Sequence, residues 1–183
     1  VGNNPNEGAL ECQFTGPTLK FESEHVIAIC GADMQPKIDG QSIPLWESVL
    51  IKSGQTLELN LCLSGARSYI AFSGGIDIQS WLGSKSTFHK AGVGGVDGYA
   101  LKEGQKISLS KSEGVVGKRI KSESIPEITK SGLWEIEVVR GPNDDWLDEN
   151  GYKTFLQAKW KLQARSDRTG FRLDGPPLTF TEK

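Results

Sequence analysis

Glycine and proline punctuate this chain from end to end. Its 22 glycines and 8 prolines are spread along all 183 residues, and none of them gather into a linker. Turn signals recur about every ten residues. That rhythm predicts short strands joined by turns: an all-β chain with few short helices, folded as a sandwich or a barrel.

The strands can be placed from their local patterns. Leu10 to Phe14 reads as a strand ending at Gly16-Pro17, with Thr18 to Phe21 as its partner. His25 to Cys30 is a nearly continuous apolar run, which predicts a strand buried on both faces. Asp39-Gly40 is a hairpin signal. Ser48 to Ile51 is short and apolar. Thr56 to Leu63 alternates, which predicts a strand with Leu57, Leu59, Leu61 and Leu63 on one core-facing side. Ala66 to Phe72 is a further strand and breaks on Gly74-Gly75. Ile76 to Leu82 is expected to make one helical turn, and a return strand is expected before Leu109. The polar, lysine-bearing stretch 110–130 reads as an exposed, mobile loop with a solvated surface. Leu133 to Arg140 alternates and is expected to be a strand. Asn143 is expected to cap a helix that starts with acidic residues. Lys159 to Ala164 is expected to be a strand.

Charge and cysteine usage remove several function classes. The net charge is −2 and no basic stripe stands out, which argues against nucleic acid. No apolar run approaches membrane-spanning length, so no membrane partner is expected. Cys12, Cys30 and Cys62 show no pairing pattern, so reduced thiols in a cytoplasmic protein are expected. His25 and His89 are too few and too scattered for a metal site.

The chemistry, if present, is expected where strands empty into small residues. Gly74-Gly75 and the passage Ala91-Gly92-Val93-Gly94-Gly95-Val96-Asp97-Gly98-Tyr99 leave backbone N–H groups bare, and bare N–H groups can hold an anion or a carboxylate. The same glycines also suit plain turns. Between the two passages lies a hydroxyl-rich segment with Ser84, Ser86 and Thr87.

Four blocks, taken in order, carry a family resemblance. They are Phe14-Thr15-Gly16-Pro17-Thr18-Leu19-Lys20-Phe21, Arg67 to Ile76, Leu82-Gly83-Ser84-Lys85-Ser86-Thr87-Phe88, and Ser166-Asp167-Arg168-Thr169-Gly170-Phe171-Arg172-Leu173-Asp174-Gly175. Together they resemble the KipA-like family, also called allophanate hydrolase subunit 2. Its branches include the second half of the carboxyltransferase domain of urea carboxylase and one of the subunits of bacterial 5-oxoprolinase. The wording is most similar to the fungal urea amidolyase branch. The resemblance implies a cyclophilin-like β-barrel packed against a KipI-like half. It implies a biotin-dependent ligase in which ATP is used, and biotin carried, on other domains. The carboxyl group of carboxybiotin passes to urea and gives allophanate. The other branches imply a subunit of ATP-dependent 5-oxoprolinase, or a binding module that regulates a kinase inhibitor. The family's amino-terminal strand and helix and its carboxy-terminal proline- and glycine-rich segment are missing. Residues 1–183 are therefore expected to be one subdomain cut from a larger module, inactive when isolated. Its partners are expected to be the KipI-like half, a biotin carrier domain and urea.

Carboxyl transfer needs a carboxylate cradle, a proton acceptor and a group that orients planar urea. On the resemblance, Arg168 is the candidate carboxylate-binding cation, with local pairing to Asp167 or Asp174 as the alternative. Asp97 and Tyr99 are candidates for proton handling or urea binding, with turn stabilisation as the alternative. Gly74, Gly75, Gly94 and Gly95 are candidates for the N–H cradle. Ser84, Ser86 and Thr87 either bind substrate or cap a short helix. Where the family often has an arginine after the second glycine passage, this chain has Gly98-Tyr99.

Overall fold

The computed structural model describes residues 1–127, 136–167 and 169–181. It divides the chain into two compact units, Val1–Trp134 and Glu135–Lys183. The described structure is mainly β, with one α-helix and two single 3-10 turns.

The first unit holds two four-stranded antiparallel sheets. One contains β1 (Leu10–Gln13), β8 (Ser64–Phe72), β3 (His25–Asp33) and β6 (Ser48–Ile51), in that order. The other contains β2 (Thr18–Lys20), β7 (Thr56–Glu58), β4 (Lys37–Ile38) and β5 (Gln41–Ser42). One core serves both sheets. Ile27, Ile29, Ile51, Ile70 and Phe72 come from the first, Ile38 and Leu57 from the second, and Met34 from the loop after β3. The His25–Cys30 run lies in β3, one of the two inner strands of its sheet, and is mostly buried. Asp39-Gly40 makes the expected tight turn between β4 and β5, with both residues at positive φ (48° and 79°). The Asp39 carboxylate then accepts from the Thr56 N–H at 2.9 Å and so ties the turn to β7.

Several expectations are corrected. β2 does not pair with β1. It pairs with β7, and β1 pairs with β8, because Gly16-Pro17 passes the chain from one sheet to the other. β7 stops at Glu58. Leu57 and Leu59 are buried, but Leu61 and Leu63 are 67% and 69% exposed. Past Glu58 the backbone bonds to loops, with the Leu59 N–H on Pro17 O and the Asn60 N–H on Met34 O. The leucine alternation therefore outruns the sheet that would bury it. Ile76 to Leu82 forms no helix. Ile76 bridges Leu109 and the Asp77 N–H binds Ser108 O, so this backbone is committed sideways. The expected return strand before Leu109 is reduced to that bridge.

Residues 110–120 run along the surface but are tied down. Ser48 is buried, and its hydroxyl donates to Val115 O at 2.6 Å and accepts from the Lys118 N–H at 2.9 Å. Gly114 packs on the Val26 and Ser73 side chains.

In the second unit, α1 (Glu149–Gln157) and the short hairpin β9 (Lys161–Leu162) with β10 (Leu173–Asp174) are the main elements. Asn143 caps only the 3-10 turn Asp144–Trp146, without a side-chain bond. The helix starts five residues further on, at Asp148, whose carboxylate accepts from the Gly151 N–H. Asp148 also receives the Thr179 hydroxyl at 2.6 Å. The expected strand Leu133–Arg140 lies partly outside the described residues. Ile136 to Arg140 is exposed and not in a strand, because no described strand offers it a partner.

Candidate functional site

Both glycine-rich passages lie in the first unit, just beyond β8. At the end of that strand Ser73 is fully buried. Its N–H donates to Val26 O at 2.8 Å and its hydroxyl accepts from the Val26 N–H at 3.2 Å. Gly74 and Gly75 follow, at φ +83° and +78°. Their N–H groups are not bare. Gly74 donates to the Asn3 side-chain oxygen at 2.8 Å and Gly75 to Phe72 O at 2.9 Å. A Cβ on Gly74 would strike the Ser110 carbonyl, and one on Gly75 would lie 2.5 Å from Glu7 Oε2. This pair is therefore a packing corner, and the cradle expected there is already filled by the chain itself.

The hydroxyl segment opens with a tight turn, Trp81-Leu82-Gly83-Ser84, with φ values of 49° and 79° at its centre. Leu82 at its tip is 93% exposed. The Ser84 hydroxyl accepts from the Ser86 N–H at 3.1 Å, so it stabilises a turn and caps no helix. Ser86 and Thr87 form the floor of the second glycine passage. Gly94 (φ +71°) lies against Ser86 O, and Gly95 (φ +56°) lies against the Thr87 hydroxyl. No side chain fits at either place. Among the described residues, the Gly94 and Gly95 N–H groups have no hydrogen-bond acceptor. In this they differ from the Gly74 and Gly75 N–H groups.

The passage ends in an open concavity of about 330 Å3 lined by Val96, Asp97, Tyr99, Lys102, Glu103 and Gln105, among others. Asp97 sits at φ +57°, in the left-handed region that aspartate tolerates better than most residues. It is exposed and accepts a long bond of 3.4 Å from Gln105 Nε2. Gln105 is itself fixed by the Lys102 N–H on its Oε1, at 3.0 Å. Tyr99 is exposed, and its hydroxyl rests on Gly92, where a Cβ would be 2.9 Å away. The structure thus brings Asp97, Tyr99, Gly94, Gly95, Ser86 and Thr87 into one neighbourhood, while the Gly74 and Gly75 N–H groups and the Ser84 hydroxyl are engaged in bonds within the chain.

Arg168 lies outside the described residues. Its neighbours form a turn in the second unit, with Asp167 and Gly170 exchanging backbone bonds and the Thr169 N–H on Asp167 Oδ1 at 2.7 Å. Asp174 accepts from Gln163.

Sequence reasoning missed Asn3, Glu7, Lys85 and Gln105. Glu7 and Lys85 are 78 positions apart and no periodicity links them. The only local trace was Lys85 itself, in the middle of the hydroxyl segment.

Comparisons with known proteins agree with the blocks that carried the resemblance. The family model for the carboxyltransferase domain, subdomain A and B, matches residues 1–182. Urea amidolyase of Saccharomyces cerevisiae is 38% identical over 96% of this chain, which spans 10% of that protein. A 5-oxoprolinase subunit of Escherichia coli is 34% identical over 99% of this chain, which spans 57% of that protein. The crystal structure of K. lactis urea amidolyase superposes with a TM-score of 0.89 at 32% identity, covering 98% of this chain and 12% of that one. The chain therefore corresponds to a minor part of the urea amidolyases and to little more than half of the oxoprolinase subunit. With the family model spanning nearly every residue, the chain belongs to the carboxyltransferase-domain family, as its subdomain A and B portion.

Proposed function

We propose that this chain is part of the carboxyltransferase of a biotin-dependent urea carboxylase, acting in the cytoplasm on urea to give allophanate. The observation that carries this reading is the 0.89 TM-score to K. lactis urea amidolyase over 98% of the chain. We further propose that its two sheets belong to a cyclophilin-like barrel completed in the larger protein, where a KipI-like half and a biotin carrier domain are its partners.

The described residues fit a small planar substrate beside a carboxyl group. The free Gly94 and Gly95 N–H groups point to an oxyanion cradle. The Asp97 carboxylate is an acceptor suited to a urea N–H and to its proton. The Tyr99 hydroxyl is a donor suited to the urea carbonyl. Arg168 is retained as the candidate cation for the transferred carboxylate. Biotin, carried on another domain, supplies the carboxyl group when docked. This chain's residues bind and orient urea and take its proton.

A second reading is favoured by a specific observation, the 34% identity to the Escherichia coli 5-oxoprolinase subunit over 99% of the chain. Both substrates present a planar amide, so one experiment separates the two readings. ATP hydrolysis by the intact parent protein is followed with bicarbonate and either urea or 5-oxoproline, with and without avidin. Urea-dependent, avidin-sensitive turnover supports the carboxylase reading. Turnover on 5-oxoproline that ignores avidin replaces it with the oxoprolinase reading.

A further inference from the structure

The two glycine-rich passages share a strut that the family match does not assign. Lys85 Nζ lies 2.6 Å from Glu7 Oε2 and donates to Ile76 O at 3.2 Å. The two side chains are only 17% and 26% exposed. Each end of the pair carries a glycine passage. Glu7 Oε2 sits where a side chain on Gly75 would be, and the Lys85 side chain packs on Gly8. Lys85 directly precedes Ser86 and Thr87, the floor on which Gly94 and Gly95 rest. Asn3 fixes the same amino-terminal segment to the first passage, through Phe72 O at 2.7 Å and the Gly74 N–H at 2.8 Å.

We propose that the Glu7–Lys85 pair is a positioning device that holds the Ser86–Thr87 floor, and with it Gly94, Gly95, Asp97 and Tyr99, in register with the end of β8. Neither residue touches the concavity lined by Asp97 and Tyr99, so neither is a catalytic residue. The physical case rests on burial and direction. A charge pair this little exposed is strongly oriented, and removing one member leaves the other charge half-buried without its partner. The second contact, to Ile76 O, fixes the ammonium along another direction. Glycine loops carry no side chains to anchor them, so an external strut has most influence there. The role in turnover rests on the proposed carboxyltransferase site.

The test uses the intact parent protein. Lys85→Met and Glu7→Gln are compared with Lys85→Arg and with the reversed pair Glu7→Lys/Lys85→Glu. Amide hydrogen exchange is read over residues 84–99, together with ATP- and bicarbonate-dependent turnover of urea and of 5-oxoproline. ATP cleavage without either substrate is the control for biotin carboxylation. The single variants are expected to lose exchange protection at the Phe88 and Gly98 N–H groups. Their kcat should fall about 10- to 100-fold, the scale of a small displacement of reacting groups, while the control is unchanged. Lys85→Arg is expected to retain both properties, and the reversed pair, in which the carboxylate at position 85 cannot donate to Ile76 O, to recover them only in part. Unchanged exchange in Lys85→Met overturns the strut. If Lys85→Met does not fold, unchanged exchange in Glu7→Gln overturns it equally. Altered exchange with unaltered turnover upholds the strut and overturns the placement of the site at Asp97 and Tyr99. Should neither substrate turn over, the exchange comparison still decides.

Discussion

Gly94 is pressed against the carbonyl oxygen of Ser86 so closely that a methyl group cannot be inserted between them. It also sits at φ +71°. Gly83, at φ +79°, has open space around its missing side chain. The two positions separate conformational strain from collision. Gly83→Ala is expected to cost about 1–2 kcal/mol, the left-handed penalty alone. Gly94→Ala is expected to cost more and to alter the Ser86–Asp97 segment. Equal shifts of the urea unfolding midpoint in the two variants would contradict this packing.

Ser48 closes the surface strap onto β6 with one buried hydroxyl that bonds both Val115 O and the Lys118 N–H. Ser48→Ala removes the hydroxyl that bonds the Val115 carbonyl and the Lys118 N–H of the surface strap. A loss of about 1 kcal/mol is expected, the net worth of such hydrogen bonds. Faster amide exchange at residues 115–118 should accompany it. A destabilised variant whose strap exchanges as in the unaltered protein would show that the strap is held otherwise.

The cap of α1 is expected to titrate. The Thr179 hydroxyl first, and then the Gly151 N–H, stabilise the ionised Asp148 carboxylate and lower its pKa from 3.8. A lowered folded-state pKa contributes stability that is fully present above 3.8 and is lost as pH falls below it. Helical circular dichroism should therefore fall on acidification below that value. In Asp148→Asn, whose cap carries no charge, the same acid step should be smaller.

Cys12 lies in β1, buried, and burial together with the neighbouring Glu11 carboxylate pushes its thiol up to about 11. Cys30 is shifted in the same direction by burial. The raised folded-state value means that the unfolded chain loses its thiol protons first. Stability is therefore undiminished below pH 9.0 and falls between pH 9.0 and about 11. Iodoacetamide at neutral pH is expected to leave Cys12 unmodified in the folded chain. Cys12 labelling as fast as Cys62 labelling would contradict its burial.

Phe14, Leu61 and Leu63 are 54%, 67% and 69% exposed. The backbones of Phe14 and Leu61 are brought side by side, because Thr15 bridges Leu61 and the Cys62 N–H binds Phe14 O. Exposed apolar groups of this size favour association. The isolated 183-residue chain is expected to self-associate, and Leu61→Lys with Leu63→Lys to reduce this. Sedimentation showing a clean monomer of the unaltered chain at high concentration would count against it.

How much of this was legible in the sequence depends on the range of the interactions. The turn rhythm, the buried β3 run and the Asp39-Gly40 hairpin are local, and the chain alone determined them. Each rests on one residue's backbone preference or on the alternation of neighbours. The resemblance carried by four short blocks was equally legible, because it needs only residue identity and order. The tertiary structure decided which strands pair. Thr18 to Lys20 could as well have folded back on β1 until β7 offered its edge. It also decided where alternation stops meaning burial, since Leu59 and Leu61 look alike in sequence but only one has a sheet above it. Above all, it decided which glycine N–H groups are free. Gly74 and Gly94 are the same residue type, but the Gly74 N–H is already taken by Asn3, 71 positions away. Contacts at that separation depend on chain closure and leave no periodic trace. That is also why the Glu7–Lys85 pair was invisible until the fold brought it together.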